Sequence, residues 1–373
     1  MSKERPSEYR WPSPAHRPMN PEYVPEGKLP PLLLADLLKW HGTTREEVLC
    51  GPGIGEDAAV IRWPEGAYLV ASSDPIVGAQ KGAGHLLVAV NANDIACKGG
   101  DPRYFLVTLI IPHHNGLERA RAIMAEIDES CRRIGVAVVG GHTEITSRYA
   151  QPVIVGTMMG PSQYSYDAGQ TNQGDVVLMT KHAGLEGMAI LAGDRPDLLS
   201  LLTEQELKTV IKWKERLSII PEAALIRDLA VVMHDPTEGG LVGGMEELSQ
   251  ACGRVIQINE QQVPVSPLTR KAARELNFDP FRLISSGVLL AVVPQRYRDE
   301  ALQRLEKAGI NAAVVGVMGD KLDTSKDTPD GCKDTPDGRK DTPDGRKDTL
   351  DGRKDIAGAV AEELWRLLEL PQL

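Results

Sequence analysis

The chain has 373 residues, 42% apolar and 25% charged, with 42 Lys and Arg against 52 Asp and Glu for a net charge of −10. It is longer than the roughly 150 residues of a typical domain and apolar enough to pack an interior, so wholesale disorder is excluded and two domains are expected. No basic block is present to track a phosphate backbone, which argues against a nucleic-acid partner.

Met1 to Gly27 is polar and proline-rich, without the apolar centre of a signal peptide or the arginine-rich pattern of a transit peptide, and residues 1–30 read as a flexible arm. Apolar runs such as Phe105 to Ile111 are far shorter than the roughly 20 residues of a spanning helix. A cytoplasmic protein that does not enter the membrane is expected. Strand-like runs at Tyr68 to Ala71, Phe105 to Ile111, Val136 to Val139 and Val153 to Met158 alternate with helical patterns, notably Leu117 to Ile134, giving a first domain at 31–165.

A polar stretch from Pro161 to Gly174 precedes a fresh strand at Val176 to Thr180 and a second unit over 172–373. Its expected helices are Glu204 to Glu215, Glu222 to Leu229, Leu241 to Ala251 and Ile356 to Leu368; its expected strands are Val288 to Val293 and Ala312 to Val317. Residues 326–355 repeat Lys-Asp-Thr-Pro-Asp-Gly-Arg with small variations and no apolar face, which predicts a disordered insertion. Cys50, Cys97, Cys131, Cys252 and Cys332 contain no C-x-x-C pair and read as buried or incidental thiols.

Five short segments carry candidate chemistry. In Gly51-Pro52-Gly53-Ile54-Gly55-Glu56-Asp57, glycine amides can approach phosphate oxygens while a carboxylate holds magnesium, although a plain turn reads equally well. Neither a Rossmann fingerprint nor a P-loop is present. Asp74 is expected at a strand end, before Pro75. Asn91, Asn93 and Asp94 follow an apolar helical run, so they need partners, either internal or ligand-borne. Gly140-Gly141-His142-Thr143-Glu144 and His234-Asp235-Pro236-Thr237-Glu238-Gly239-Gly240 each fit an anion-binding element or a simple turn and cap.

In this order the segments resemble a known superfamily: aminoimidazole ribonucleotide (AIR) synthetase, formylglycinamidine ribonucleotide synthetase, selenophosphate synthetase, thiamine-monophosphate kinase and the hydrogenase-maturation HypE proteins. The resemblance covers about Leu32 to Val317. It implies a PurM-like, two-domain α/β (α+β) fold, an N-terminal sheet domain that forms a homodimer, a C-terminal α/β domain, and bound ATP with Mg2+. It further implies that Asp57, Asp94 and Asp235 are metal ligands, with Asp74 a supporting acid. Gly53, Gly55, Gly140 and Gly141 would shape the phosphate site, with Asn93 and Thr143 in the same motifs.

The Asp-Pro-Thr-x-Gly-Gly-Leu segment is similar to HypE. HypE proteins end in a cysteine, whereas this chain ends Leu370-Pro371-Gln372-Leu373, and Cys332 inside the repeat is a weak substitute. The expectation is therefore an ATP-dependent phosphotransferase or ligase-like enzyme of the AIR synthase-related type, acting on a small-molecule substrate. His142 is its candidate acid/base residue, although a structural histidine is the commoner case. Lys98 is a candidate phosphate contact or a solvated helix-end lysine. A HypE-like maturation factor working with a partner protein, and a nucleotide-binding regulator without turnover, are the alternatives.

Overall fold

The structure, a computed structural model, describes residues 27–28, 36–50, 60–65, 67–77, 82–322, 363–368 and 370. The N-terminal arm apart from Gly27 and Lys28, the glycine loop with Gly53, Gly55 and Asp57, and the repeat at 326–355 lie outside the described residues.

Two five-stranded sheets organise the chain. Strands β1 (Gly27–Lys28), β4 (Tyr68–Val77), β5 (Tyr104–Pro112), β6 (Ala137–Thr146) and β7 (Val153–Ser162) form the first, in the order β1-β6-β5-β7-β4. Beside them β2 (Val48–Cys50) pairs with β3 (Val60–Ile61). The second sheet holds β8 (Val176–Thr180), β9 (Val232–His234), β10 (Arg254–Ile258), β11 (Leu290–Val293) and β12 (Ala312–Lys321), in the order β10-β12-β8-β11-β9. Its ladders are all antiparallel, and the first sheet has one parallel pair, β5 with β6. A parallel pair needs a crossover, and helix α2 (Gly116–Ile134) supplies it. The fold is thus the α+β form of the expectation.

Helix α1 (Ala83–Cys97) decides how the two halves meet. Its Leu87, Val88, Ala92 and Ile95 enter the core under the first sheet together with Ile123 and Ile127 of α2. Its last turn turns elsewhere, because Ala96 and Cys97 join the core behind the second sheet with Leu178, Leu289 and Ala291. A helix packed against both units keeps little solvent-facing side, which explains why apolar residues occur all round α1, with its few polar groups engaged internally or at one opening, while α2 is clearly amphipathic.

The described helices of the second unit are α3 (Leu185–Asp194), α4 (Glu204–Ile211), α5 (Ile220–Ile226), α6 (Gly240–Cys252), α7 (Pro267–Leu276), α8 (Arg298–Lys307) and, near the end, α9 (Glu363–Leu368). Sequence periodicity finds α4, α5 and α6 within a few residues and the end of α9, the first part of whose expected range, 356–362, lies outside the described residues; it does not isolate α3, α7, α8 or β10. On α9, Leu364 and Leu367 join the core of α3 and α7, which anchors the chain beyond the repeat.

Two expectations about local structure are corrected. Gly140 to Glu144 is not a turn after a strand: β6 runs on to Thr146, paired residue by residue with β5 from Gly140 onward. Asp74 is not at a strand end, because β4 continues to Val77. The proline after it is tolerated because, among the described strands, β4 is the sheet edge and pairs only with β7.

At Gly141 the backbone has φ 149°, and an added Cβ would lie 1.8 Å from the Val107 carbonyl oxygen. The register slips by one residue nearby, between Phe105 and Leu106, so β6 presses onto β5 here. Gly141→Ala is expected to cost about 1–3 kcal/mol by strain and overpacking. Its melting temperature checks this, and a variant as stable as the parent would show that the strand yields without cost.

A buried polar knot fixes the segment 217–219 between the units. From α1, the Asn93 amide donates to the Leu217 carbonyl at 2.8 Å and accepts from the Ile219 N–H at 3.0 Å. From the other side the buried Lys181 ammonium donates to the Ser218 and Gly287 carbonyls at 2.7 Å each, and it pairs with Glu222 at 2.6 Å.

Candidate functional site

Strand β4, helix α1 and the end of β9 meet at one opening, whose wall includes Ser72, Asp94, Cys97, Lys98, His234 and Asp235. Each comes from a different local cause. Ser72 and Asp74 are two apart on β4 and so share the face toward α1. Asp94 and Cys97 are three apart on α1 and so share one helical face. Asp235 leaves β9 in the loop that leads to α6. That loop turns through Gly239 and Gly240 at φ 77° and 62°, where a Cβ on Gly240 would lie 2.6 Å from the carbonyl oxygens of Phe281 and Leu283.

The acids are linked by short contacts. The Ser72 hydroxyl donates to Asp94 and stands 3.3 Å from the Asp74 carboxylate. The Asp74 backbone N–H donates to the Asn91 side chain at 3.1 Å, and Asn91 in turn donates to the Leu87 carbonyl at 2.9 Å. Across the opening the Cys97 thiol donates to Asp235 Oδ1 at 3.7 Å. Asp235 is 3% exposed, and its Oδ2 accepts no hydrogen bond.

Burial, a proton shared with Asp74 and the nearby Asp235 charge push the Asp94 carboxyl up to about 8, against the pull of the Ser72 hydroxyl. Burial raises Asp235 as well, opposed by His234. The Cys97 thiol is raised by burial and by both acids. From the opening wall, His234 Nε2 reaches outward to Glu247 at 2.8 Å and holds that carboxylate below its usual range.

These features fit a hard divalent cation. The donors are carboxylate oxygens, one of them is buried without a partner, and their mutual repulsion would be relieved by positive charge. Among the described residues no three such side chains already stand close enough to form a ready-made metal site. Asp57, the third expected ligand, lies outside them.

The remaining expected residues are distributed differently. Asn93 is fully buried and its amide is engaged with Leu217 and Ile219, so its role is internal rather than ligand-borne. Gly140, Gly141 and Thr143 sit within β6, separated from β4 by β5 and β7. His142 is paired with Thr108, which pairs with Val155 and that with Pro75. Asp74 lies one residue off that row, so His142 is on the opposite face of the sheet, where its side chain is 46% exposed and 3.8 Å from Glu144. The fold therefore gathers Asp74, Asp94 and Asp235 and leaves His142 apart.

Lys98 is exposed at the end of α1 and lines the opening. Sequence reasoning undervalued Ser72 and Cys97, although their spacing from Asp74 and Asp94 was the available signal.

Residues 55–161 match the AIR synthase related protein N-terminal domain and residues 172–325 the C-terminal domain of the same family. Carbamoyl dehydratase HypE of Escherichia coli (strain K12) is 28% identical over 251 residues, which cover 65% of this chain and 72% of that protein. The crystal structure of the hydrogenase maturation protein HypE in complex with ATP superposes with a TM-score of 0.63 at 22% identity, covering 79% of this chain and 87% of that one. A HypE–HypF complex gives a TM-score of 0.59 at 20% identity, with 69% and 88% covered. The chain belongs to the AIR synthase-related family and is similar to HypE.

Proposed function

We propose that this AIR synthase-related chain binds ATP with Mg2+ at the acid-lined opening and activates an acceptor by phosphoryl transfer, in a HypE-like maturation role with a partner protein. The observation that carries this reading is the convergence at one opening of Asp94, from helix α1, and Asp235, from the loop after β9, whose Oδ2 is buried without a hydrogen bond. ATP in the HypE complex and HypF in the other HypE complex support the nucleotide and the partner.

Asp94 and Asp235, with Asp57 of the glycine-rich segment, would hold Mg2+, which supplies charge neutralisation for the transferred phosphate. The protein's own contribution is orientation. Ser72 holds Asp94, Cys97 holds Asp235, and Lys98 adds positive charge at the rim. The opening encloses about 200 Å³. Small-molecule pockets span roughly 300–1,000 Å³, so it suits an ion and a phosphate group, with the rest of the nucleotide outside it.

The part of the first sheet's far face that no described element covers carries half-buried Ile110, Val153 and Val155 beside His142, and a second copy of the chain packed on it would complete a homodimer. There His142 would face the partner copy instead of the acids. Among the described residues no helix is long and apolar enough to cross a membrane.

Calorimetry of ATP binding with and without Mg2+ tests this reading. Asp94→Asn is expected to weaken Mg2+-dependent binding at least tenfold, about 1.4 kcal/mol, in a protein that remains folded. No ATP binding by the folded parent would reject the proposal. Tight binding with no phosphate release across acceptors and partner proteins would favour a regulator over an enzyme.

A further inference from the structure

Helix α1 ends at the opening. Asp94 and Cys97 in its last turn and Lys98 just beyond it line the wall, so whatever holds this end of the helix also sets where the Lys98 ammonium stands. The helix stops at Gly99, whose φ of 68° suits glycine. There the Gly99 N–H donates to the Ala96 carbonyl at 2.8 Å and the Gly100 N–H to the Ile95 carbonyl at 2.9 Å.

Two other parts of the chain close on that turn. The linker between the matched segments 55–161 and 172–325 brings Ser162, Tyr164 and Tyr166. The buried Ser162 hydroxyl lies 3.1 Å from the Lys98 carbonyl, which can accept its proton. Tyr164 and Tyr166 stack with ring centres 5.9 Å apart against Gly99, where a Cβ would lie 2.8 Å from the Tyr166 hydroxyl oxygen and 3.0 Å from the Tyr164 ring. From the second unit Arg227, just past α5, donates to the Gly99 carbonyl at 3.3 Å and to Asp101 at 2.8 Å, with its guanidinium 5.7 Å from the Tyr164 ring centre. The Tyr166 hydroxyl in turn donates to the Arg227 carbonyl at 2.7 Å.

Helix α5 thereby grips α1 at two points. Just before it the Ile219 N–H donates to Asn93, and just after it Arg227 reaches Gly99. Asp94, Cys97 and Lys98 all fall between these two fixed points.

We propose that Arg227, with Tyr164 and Tyr166, is a positioning latch of the nucleotide site, holding the end of α1 so that the Lys98 ammonium stands at the mouth of the opening to meet a nucleotide phosphate. None of the three lines the opening, so they act through Lys98. A lysine side chain is long and flexible, and fixing the backbone that carries it lowers the ordering cost of binding. The latch rests on the nucleotide reading given above.

Arg304 of α8 provides the control. Its hydrogen bonds, to the Leu225 carbonyl at 3.1 Å and to Asp228 and Glu300 at 2.6 Å each, brace the same end of α5 but stay within the second unit. Arg227→Gln and Arg304→Gln each remove one positive charge, and only the first releases Gly99.

The test measures Mg2+-dependent ATP affinity by calorimetry, with melting temperatures, in the full chain and in Arg227→Gln, Lys98→Met, their double variant and Arg304→Gln. Arg227→Gln is expected to weaken ATP binding at least about threefold while Lys98 is present, and to add nothing in the Lys98→Met background. Arg304→Gln should lower the melting temperature yet bind ATP as the parent does. Tyr166→Phe keeps the ring and removes one hydrogen bond, so it should repeat the Arg227 pattern at smaller size and serves if Arg227→Gln fails to fold. In the nucleotide-free protein, hydrogen exchange at the Gly99 and Gly100 amides should quicken in Arg227→Gln and Tyr166→Phe and not in Arg304→Gln.

Losses of affinity that simply add to that of Lys98→Met, an equal loss in Arg304→Gln, or unchanged exchange at Gly99 and Gly100 would each overturn the latch, and ATP binding by the parent would leave the nucleotide reading standing. No ATP binding by the folded parent would overturn both.

Discussion

Replacing Lys181 with methionine is expected to remove about 3–5 kcal/mol of folding stability, seen as a lower urea midpoint at an unchanged slope. The ammonium is the common partner of Glu222, Ser218 and Gly287, and its side chain and that of Glu222 are 9% and 3% exposed. Methionine fills similar volume but strands a buried carboxylate and two carbonyls. The loss comes chiefly from that stranded charge rather than from the strength of the pair. Burial lowers the Lys181 pKa even with Glu222 beside it, and Glu222 Oε2 already lacks a hydrogen bond.

Adding Glu222→Leu to Lys181→Met should therefore recover part of the loss, although each change alone destabilises. A double variant as unstable as the sum of the two single ones would refute this account. The knot matters for function because the gripped segment 217–219 also carries the two partners of Asn93, next to Asp94. Loosening it is expected to loosen the placement of Asp94 opposite Asp235.

The second large effect is a fall in stability of the ligand-free protein between about pH 6.5 and 8. Asp94 holds its proton in the folded chain up to about 8, whereas in the unfolded chain it releases it near 3.9. Across that interval the folded state binds more protons, so stability declines as pH rises, by at most about 1.4 kcal/mol per pH unit for one proton. Below about 6.5 the buried His182, pushed down to about 4 against Trp213, acts in the opposite direction. Its neutral folded form gains stability as pH rises from 4 to 6.5, which leaves the upper interval to Asp94.

Urea unfolding at closely spaced pH values reads the effect. Asp94→Asn should flatten the decline and be more stable than the parent at pH 8, while losing Mg2+-dependent ATP binding. An equal slope in parent and variant would assign the decline to another group. A residue that lowers stability when empty and holds a cation when occupied is the expected trade between stability and function.

Much of the fold is legible along the chain because its signals are local. The period of 3.6 in Leu117 to Ile134 and the bounded apolar run Phe105 to Ile111 announce α2 and β5 within a residue or two. The ordered motifs through Asp74, Asn93-Asp94 and Asp235 carry the family resemblance and point to the acids that the fold brings together. Elements such as β10 and α7 escape this reading, since short or highly charged segments owe their form to the neighbours they pack against.

Tertiary structure alone decided three things. Asn93 and Asp94 are adjacent in sequence, yet helix geometry turns one into the clamp on Leu217 and Ile219 and the other into the opening, because successive residues point about 100° apart. His142 and Asp74 both lie on strands of one sheet, but register puts them on opposite faces, and only pairing with β5 and β7 fixes that register. Cys97 meets Asp235 across 138 residues of chain. The sequence determined which side chains could bind a cation and phosphate; which of them share one buried opening was settled by packing α1 between two sheets, a long-range balance of burial that no local pattern encodes.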